Sequence, residues 1–139
     1  MMNKEYASEP ISIDRIMRMI AWDKSPKEQA AGIKLAKKVE NFNVFLQPCN
    51  QKYNKNVWDN CAKILFERTD SELSPYLDRL FAWLQDLNWP GAAGIFDRLQ
   101  NYADAPSYDA AFRISIKCAQ ALSDSVWESN LKMLHRKIK

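Results

Sequence analysis

Apolar residues along this chain recur at i, i+3, i+4 and i+7, the spacing of one face of an α-helix, and this pattern dominates from end to end. Ile13, Ile16, Met17 and Ile20 define a first short helix with Ser12 as its cap. Ser25-Pro26-Lys27-Glu28 opens the next one, with a serine cap, a proline in the first turn and a glutamate three residues after the cap. That helix turns Ala30, Ile33 and Ala36 inward and Lys27, Lys34, Lys37 and Lys38 outward. Phe42–Leu46 is stopped by Pro48 and predicts a single turn or a packed loop. Asn50–Asn56 is polar and aperiodic, a connector or a recognition loop. Trp58, Cys61, Ala62 and Leu65 then mark a helix capped by Asn54 or Asn56 and ending near Arg68.

The densest signal follows, in Trp83–Ala92. Upstream, Ser74-Pro75 is a helix start, and Leu77, Leu80, Phe81 and Leu84 give an apolar face. Pro90 disfavours the α region at Trp89, so this helix is expected to end near Asn88. Pro90 then opens a helix burying Ala92, Ile95, Phe96 and Leu99, and Asp86 is placed to accept from the free N–H groups at its start. Asp86, Asn88, Trp89 and Pro90 therefore read as a structural joint; a ligand site is the alternative. Further on, Ser107 begins a helix whose polar positions reduce to Asp109, Arg113, Lys117 and Gln120, which predicts neighbours on most of its sides. Ser125-x-x-Glu128 predicts a capping box for a last helix carrying Trp127, Leu131, Leu134 and Ile138.

WLQDLNWPGA, with the upstream ELSPYLDRLFAWL, resembles a family of short bacterial domains of unknown function that share a W-L-Q-D-x-N-W-P-x-A helix joint. The resemblance implies a HEAT- or armadillo-like fold and carries no activity, cofactor or catalytic residue with it. An internal echo agrees with that expectation. Ala30-Ala31-Gly32-Ile33 recurs as Ala92-Ala93-Gly94-Ile95, and Val57-Trp58-Asp59 recurs as Val126-Trp127-Glu128. Such offsets are about twice the ~35–45 residues of a two-helix repeat. The expected architecture is all-α: a short stack of antiparallel α-hairpins with about seven to eight helices. It forms one domain over residues 1–139, with a polar lead-in at 1–10, halves at roughly 11–70 and 71–139, and a tandem duplication or a compact bundle as the alternatives.

Composition narrows function mainly by exclusion. Hydrophobic residues make up 47% and charged residues 27% of the 139 residues, ordinary for a globular chain, and a net charge of +3 falls short of a nucleic-acid footprint. No apolar run reaches the length of a membrane span, the N-terminus lacks a secretory h-region, and Cys49, Cys61 and Cys118 suggest no disulfide framework, so a cytoplasmic location is expected. Cys61 and Cys118 are expected to be buried, leaving Cys49 as the thiol to test. His135 stands alone, and no metal, cofactor or catalytic constellation is recognised. Trp58, Trp83 and Trp127 read as core, whereas Trp22 and Trp89 sit at helix ends where a ring can anchor a partner. The expected function is a non-enzymatic protein-interaction module with an unidentified protein partner, in a specific form an immunity-type inhibitor of a bacterial toxin. The alternatives are a nucleic-acid-binding helical repeat and an enzyme whose site the sequence does not reveal.

Overall fold

Serine caps start the chain of helices as their spacing requires. In the computed structural model, which describes residues 12–48 and 52–138, Ser12 accepts from Arg15 N–H to open α1 (Ile13–Met19) and Ser25 accepts from Glu28 N–H to open α2 (Pro26–Ala36). Asn41 caps a 3₁₀ turn over Phe42–Phe45, and Asn54 caps another, Lys55–Val57, that runs directly into α3 (Trp58–Phe66). The lead-in 1–10, Cys49 and the side chain of His135 lie outside the described residues.

The second half departs from expectation at each start. Thr69, not Ser74, opens the helical run: it forms a full capping box with Glu72 ahead of α4 (Asp70–Leu73). A 3₁₀ turn at Ser74–Tyr76 passes Pro75 into α5 (Leu77–Ala82), and a second at Trp83–Gln85 ends the run before Asn88. Pro75 thus sits inside a helical run, where its missing N–H is accommodated by a tightened turn. After the joint come α6 (Ala92–Gln100), α7 (Ala105–Ala121) and α8 (Ser125–Ile138). Asp104 caps α7 by accepting from Ser107 N–H, and Asp124 accepts from Trp127 N–H at the start of α8. The expected Ser125–Glu128 box does not form; Glu128 instead accepts from Gln120 and pairs with Lys132. Ahead of Ser107 and Ser125 an aspartate upstream takes the cap, with the dipole favouring the charge, and ahead of Ser74 the Thr69 hydroxyl does so.

All described residues are helix, turn or loop, and no described helix is long and apolar enough to cross a membrane. Packing pairs α1 with α2, α2 with α3, α3 with α6, α5 with α7, and α7 with α8. One continuous core runs through them, from Ile16 and Ile20 through Leu65, Leu80 and Phe81 to Leu131 and Leu134. Two buried asparagines tie it to helix ends: Asn60 donates to Ile20 O at 2.7 Å, and Asn130 donates to Leu84 O at 2.8 Å. Arg68 closes the end of α2 by donating to the carbonyls of Ala36 and Val39, while its own carbonyl accepts from Arg98, which also pairs with Asp70 at 2.7 Å.

The echoed glycines do different work. A Cβ on Gly32 would stand 2.7 Å from Ile20 Cγ2 in the neighbouring α1, whereas on Gly94 it would collide with the Phe66 ring at the end of α3. Two apolar assignments are also corrected. Ala30 is exposed, and α2 packs through Gly32 and Ala36 instead. On α7, Ala110, Ile114, Cys118, Ala121 and Leu122 face outward beside Arg113 and Lys117, so the helix is covered on one side only. Its apolar content exceeded what its single buried row, Tyr108, Phe112, Ser115 and Ala119, could use.

Candidate functional site

The joint between α5 and α6 is built from the backbone outward. Trp83, wholly buried, donates its indole N–H to Pro90 O at 3.0 Å and draws the turn back over the helix end. Within the turn, Asp86 Oδ1 accepts from Asn88 N–H at 2.9 Å, Asp86 O accepts from Trp89 N–H, and Trp89 O accepts from Ala92 N–H. The carboxylate therefore closes its own Asx turn and does not cap α6. Nor does Pro90 open that helix; Gly91 precedes it at φ 84°, with Trp58 O, Ala62 Cβ and Trp83 Cζ2 each 2.9 Å from where a Cβ would stand. Only glycine meets both demands, a left-handed backbone and an approach this close. Asp86, Asn88, Trp89 and Pro90 are thus brought into one turn, with Asn88 exposed.

Trp89 leaves the turn half-buried and meets Trp58 edge to face, with centroids 5.5 Å apart and planes at 89°. Trp58 in turn lies 6.2 Å from Trp83 at 74°. Lys55, exposed on the 3₁₀ turn before α3, holds its ammonium 5.7 Å from the Trp58 centroid and 5.8 Å from that of Trp89. Here a cleft of about 510 Å³ opens among Pro48, Tyr53, Asn54, Lys55, Trp58, Gln85 and Trp89. Its walls come from the loop before α3, from α3 itself and from the joint. A second cleft of about 400 Å³ shares Tyr53 and Asn54 and is polar, with Asp14, Arg18, Asp23, Lys24 and Lys52 around it.

Most polar atoms of the aromatic cleft already have partners. Tyr53 donates its hydroxyl to Asp14; burial first, then this carboxylate, push the phenol up to about 12, and the same bond with Lys52 nearby holds Asp14 below the usual carboxylate range. Asn54 Oδ1 accepts from Asn56 N–H, and Gln85 Nε2 donates to Ala82 O at 2.8 Å. Trp58 is the exception. Only 7% exposed, it has no acceptor for its indole N–H among the described residues. Its counterpart Trp127 donates to Phe81 O at 3.0 Å. No acidic side chain lines this cleft among the described residues, and no described cluster of His, Cys, Asp and Glu could hold a metal ion. The arrangement is suited to holding an acceptor-rich group against indole faces.

Trp22 does not join it. It stands 59% exposed at the turn between α1 and α2, where its backbone N–H donates to Asn56 O. Of the thiols, Cys61 is buried, which pushes its pKa upward, while Cys118 is exposed, contrary to expectation. Trp58 is buried as its spacing predicts, and Trp89 and the loop carrying Lys55 are legible as candidate contacts, but Gln85 is not, because its meeting with them depends on packing between distant segments. The polar loop ahead of α3 was the one available signal.

Residues 54–135, more than half of the chain, match the family model described as Domain of unknown function (DUF5071). No curated protein and no solved structure matches the chain.

Proposed function

The chain belongs to the DUF5071 family of domains of unknown function, and from that premise we propose that it is a non-enzymatic protein-interaction module seating a partner on the cleft beside Trp89. The observation that carries this reading is the Trp58–Trp89 pair under Lys55, open to a cavity on one side. A half-buried indole, Trp89, backed by the buried Trp58 and flanked by a cation is the kind of anchor that dominates binding energy at interfaces. Trp22, exposed at the other joint, supplies a second anchor. The helices are read as a short HEAT- or armadillo-like stack, in which architecture is internal and a face is left for a partner. The specific form we propose is an immunity-type inhibitor of a bacterial toxin. Its mild +3 charge suits a toxin that is not itself strongly basic.

The test compares tagged wild type, Trp89→Ala and Lys55→Gln recovered from native cells. Wild type is expected to retain one stoichiometric partner and both variants to lose it, with circular dichroism unchanged. Undiminished recovery of that partner by both folded variants removes the reading.

A further inference from the structure

Resting on that reading, we infer that the corner between α1 and α2 docks an acidic surface of the protein partner, with Trp22 as the anchor and the lysines of α2 supplying the charge. Every residue from Trp22 to Glu28 is exposed, yet the backbone of this corner is held from inside the core. Buried Asn60 donates from Nδ2 to Ile20 O at 2.7 Å and to Gln29 Oε1 at 2.9 Å. Gln29 Nε2 donates in turn to Lys24 O at 2.7 Å and to Trp22 O at 3.3 Å, and Trp22 N–H donates to Asn56 O at 3.0 Å. Such a network fixes the corner before any partner arrives, which lowers the ordering cost of binding. What it presents is an indole 59% exposed.

The charges beside that indole run against structural need. Lys24 and Lys27 stand at the N-terminal end of α2, where the helix dipole favours anions and a cation costs stability. Lys27, Ala31 and Lys34 follow at helical spacing along the exposed side of α2, opposite Gly32 and Ala36, and Lys38 lies just past its end. None of these four lysines is in an ion pair among the described residues, whereas neighbouring Lys37 is paired with Glu67. The excess belongs to this end of the molecule: residues 12–68 hold eleven basic and six acidic side chains, residues 69–139 eight and nine. An acidic partner is steered toward such a pole and away from the other half.

Two features favour a protein over a phosphate backbone or a lipid surface. Asp23, Glu28 and Glu40 are exposed among the lysines, so the face alternates in sign, and a uniformly anionic surface would meet those acids unpaired. Trp22 also stands apart from the other exposed large apolar side chains among the described residues, Ile114, Leu122, Val126 and Met133, which lie on or next to α7 and α8. One indole suits a pocket on a protein; an interfacial helix needs an apolar row.

The full chain, ¹⁵N-labelled, is titrated with the peptide acetyl-(Glu-Glu-Leu-Glu)₃-amide, with its glutamine analogue, with decathymidylate of equal charge and with phosphatidylserine vesicles. The acidic peptide is expected to shift the Trp22 indole N–H signal, assigned through Trp22→Phe, together with the backbone amides of Lys24 and Lys27, and to bind more tightly than the other three. Trp22→Ala, and Lys27→Glu combined with Lys34→Glu, all at exposed positions, are each expected to weaken it about tenfold with the remaining amide spectrum kept. Arg113→Glu combined with Lys117→Glu, exposed on α7, is expected to leave it unchanged. A Trp22 signal unmoved at saturation, or an equal loss from the α7 pair, overturns the inference. Tighter binding of decathymidylate or of vesicles overturns a protein as the occupant. Self-association in sedimentation velocity that Lys27→Glu with Lys34→Glu dissolves overturns it in favour of a second copy. In each of these cases, recovery of a partner that still depends on Trp89 leaves the interaction module itself in place.

Discussion

Trp83 donates its indole N–H to the carbonyl of Pro90 at 3.0 Å, so the last turn of one helix is clasped to the turn that leads out of it. The clasp divides the joint between two jobs. Trp83 and Gly91 hold the chain, whereas Trp89 lines the cleft.

Gly91→Ala is expected to cost about 2–4 kcal/mol, combining a left-handed backbone with contacts too short for a methyl group. Trp83→Phe loses the hydrogen bond and part of a fully buried ring system, an expected cost of about 2–4 kcal/mol. Urea midpoints at constant m-value measure both, and a Gly91→Ala chain as stable as wild type would refute this account of the joint.

The paired glycines separate by their neighbours. Gly94→Ala is expected to destabilise by about 1–3 kcal/mol and to be largely rescued by Phe66→Leu, because the obstacle is the Phe66 ring. Gly32→Ala should show a similar cost and no rescue by Phe66→Leu, since Ile20 and the Met19 Cβ stand in its way. Thermal melts of the two double variants check the distinction.

Asp70 gives the fold an acid limit. Burial alone would raise its pKa, but Ala103 N–H and the Arg98 guanidinium outweigh it and hold the carboxyl below its ordinary value. A folded-state pKa depressed in this way adds stability above the unfolded pKa of about 4, and that stability is lost as pH falls through the lower folded value. Melting temperature should therefore drop below about pH 4. Asp70→Asn should flatten that drop without abolishing it, because Glu72 and Glu128 are also held low, by Thr69 N–H and by Gln120 respectively, each with a basic neighbour. Differential scanning calorimetry from neutral to acid pH resolves the difference.

The thiols differ by accessibility. In a Cys49→Ser background, Cys118 is expected to react with a maleimide at neutral pH within the folded chain, and Cys61 only after denaturation. Intact mass after timed quenching counts the labels.

What was legible in the sequence was local. Ser12 and Ser25 cap as their patterns predict, Asn54 caps the 3₁₀ turn leading into α3 and not α3 itself, and Ile16, Leu65, Leu80 and Leu131 are buried as their spacing requires. The starts at Ser74, Ser107 and Ser125 are misplaced for a common reason: a Thr or Asp upstream caps an earlier N–H group, so the helical run begins before the serine is reached, and at Thr69 the threonine-x-x-glutamate signature is present in the sequence. Cys118 and Ile114 were misassigned because apolar identity sets a preference for burial, and only neighbours can grant it. The cleft was least legible of all. Pro48, Lys55, Trp58, Gln85 and Trp89 are separated along the chain, and nothing in their spacing announces that α3 will bring them together.

The family match begins at residue 54, and that boundary runs through the wall of the cleft. Lys55, Trp58, Gln85 and Trp89 fall on one side of it, Pro48 and Tyr53 on the other. On the reading proposed above, exchanging the segment ahead of residue 54 is expected to alter the rim that Pro48 and Tyr53 form and to leave the Trp58–Trp89 pair under Lys55 in place.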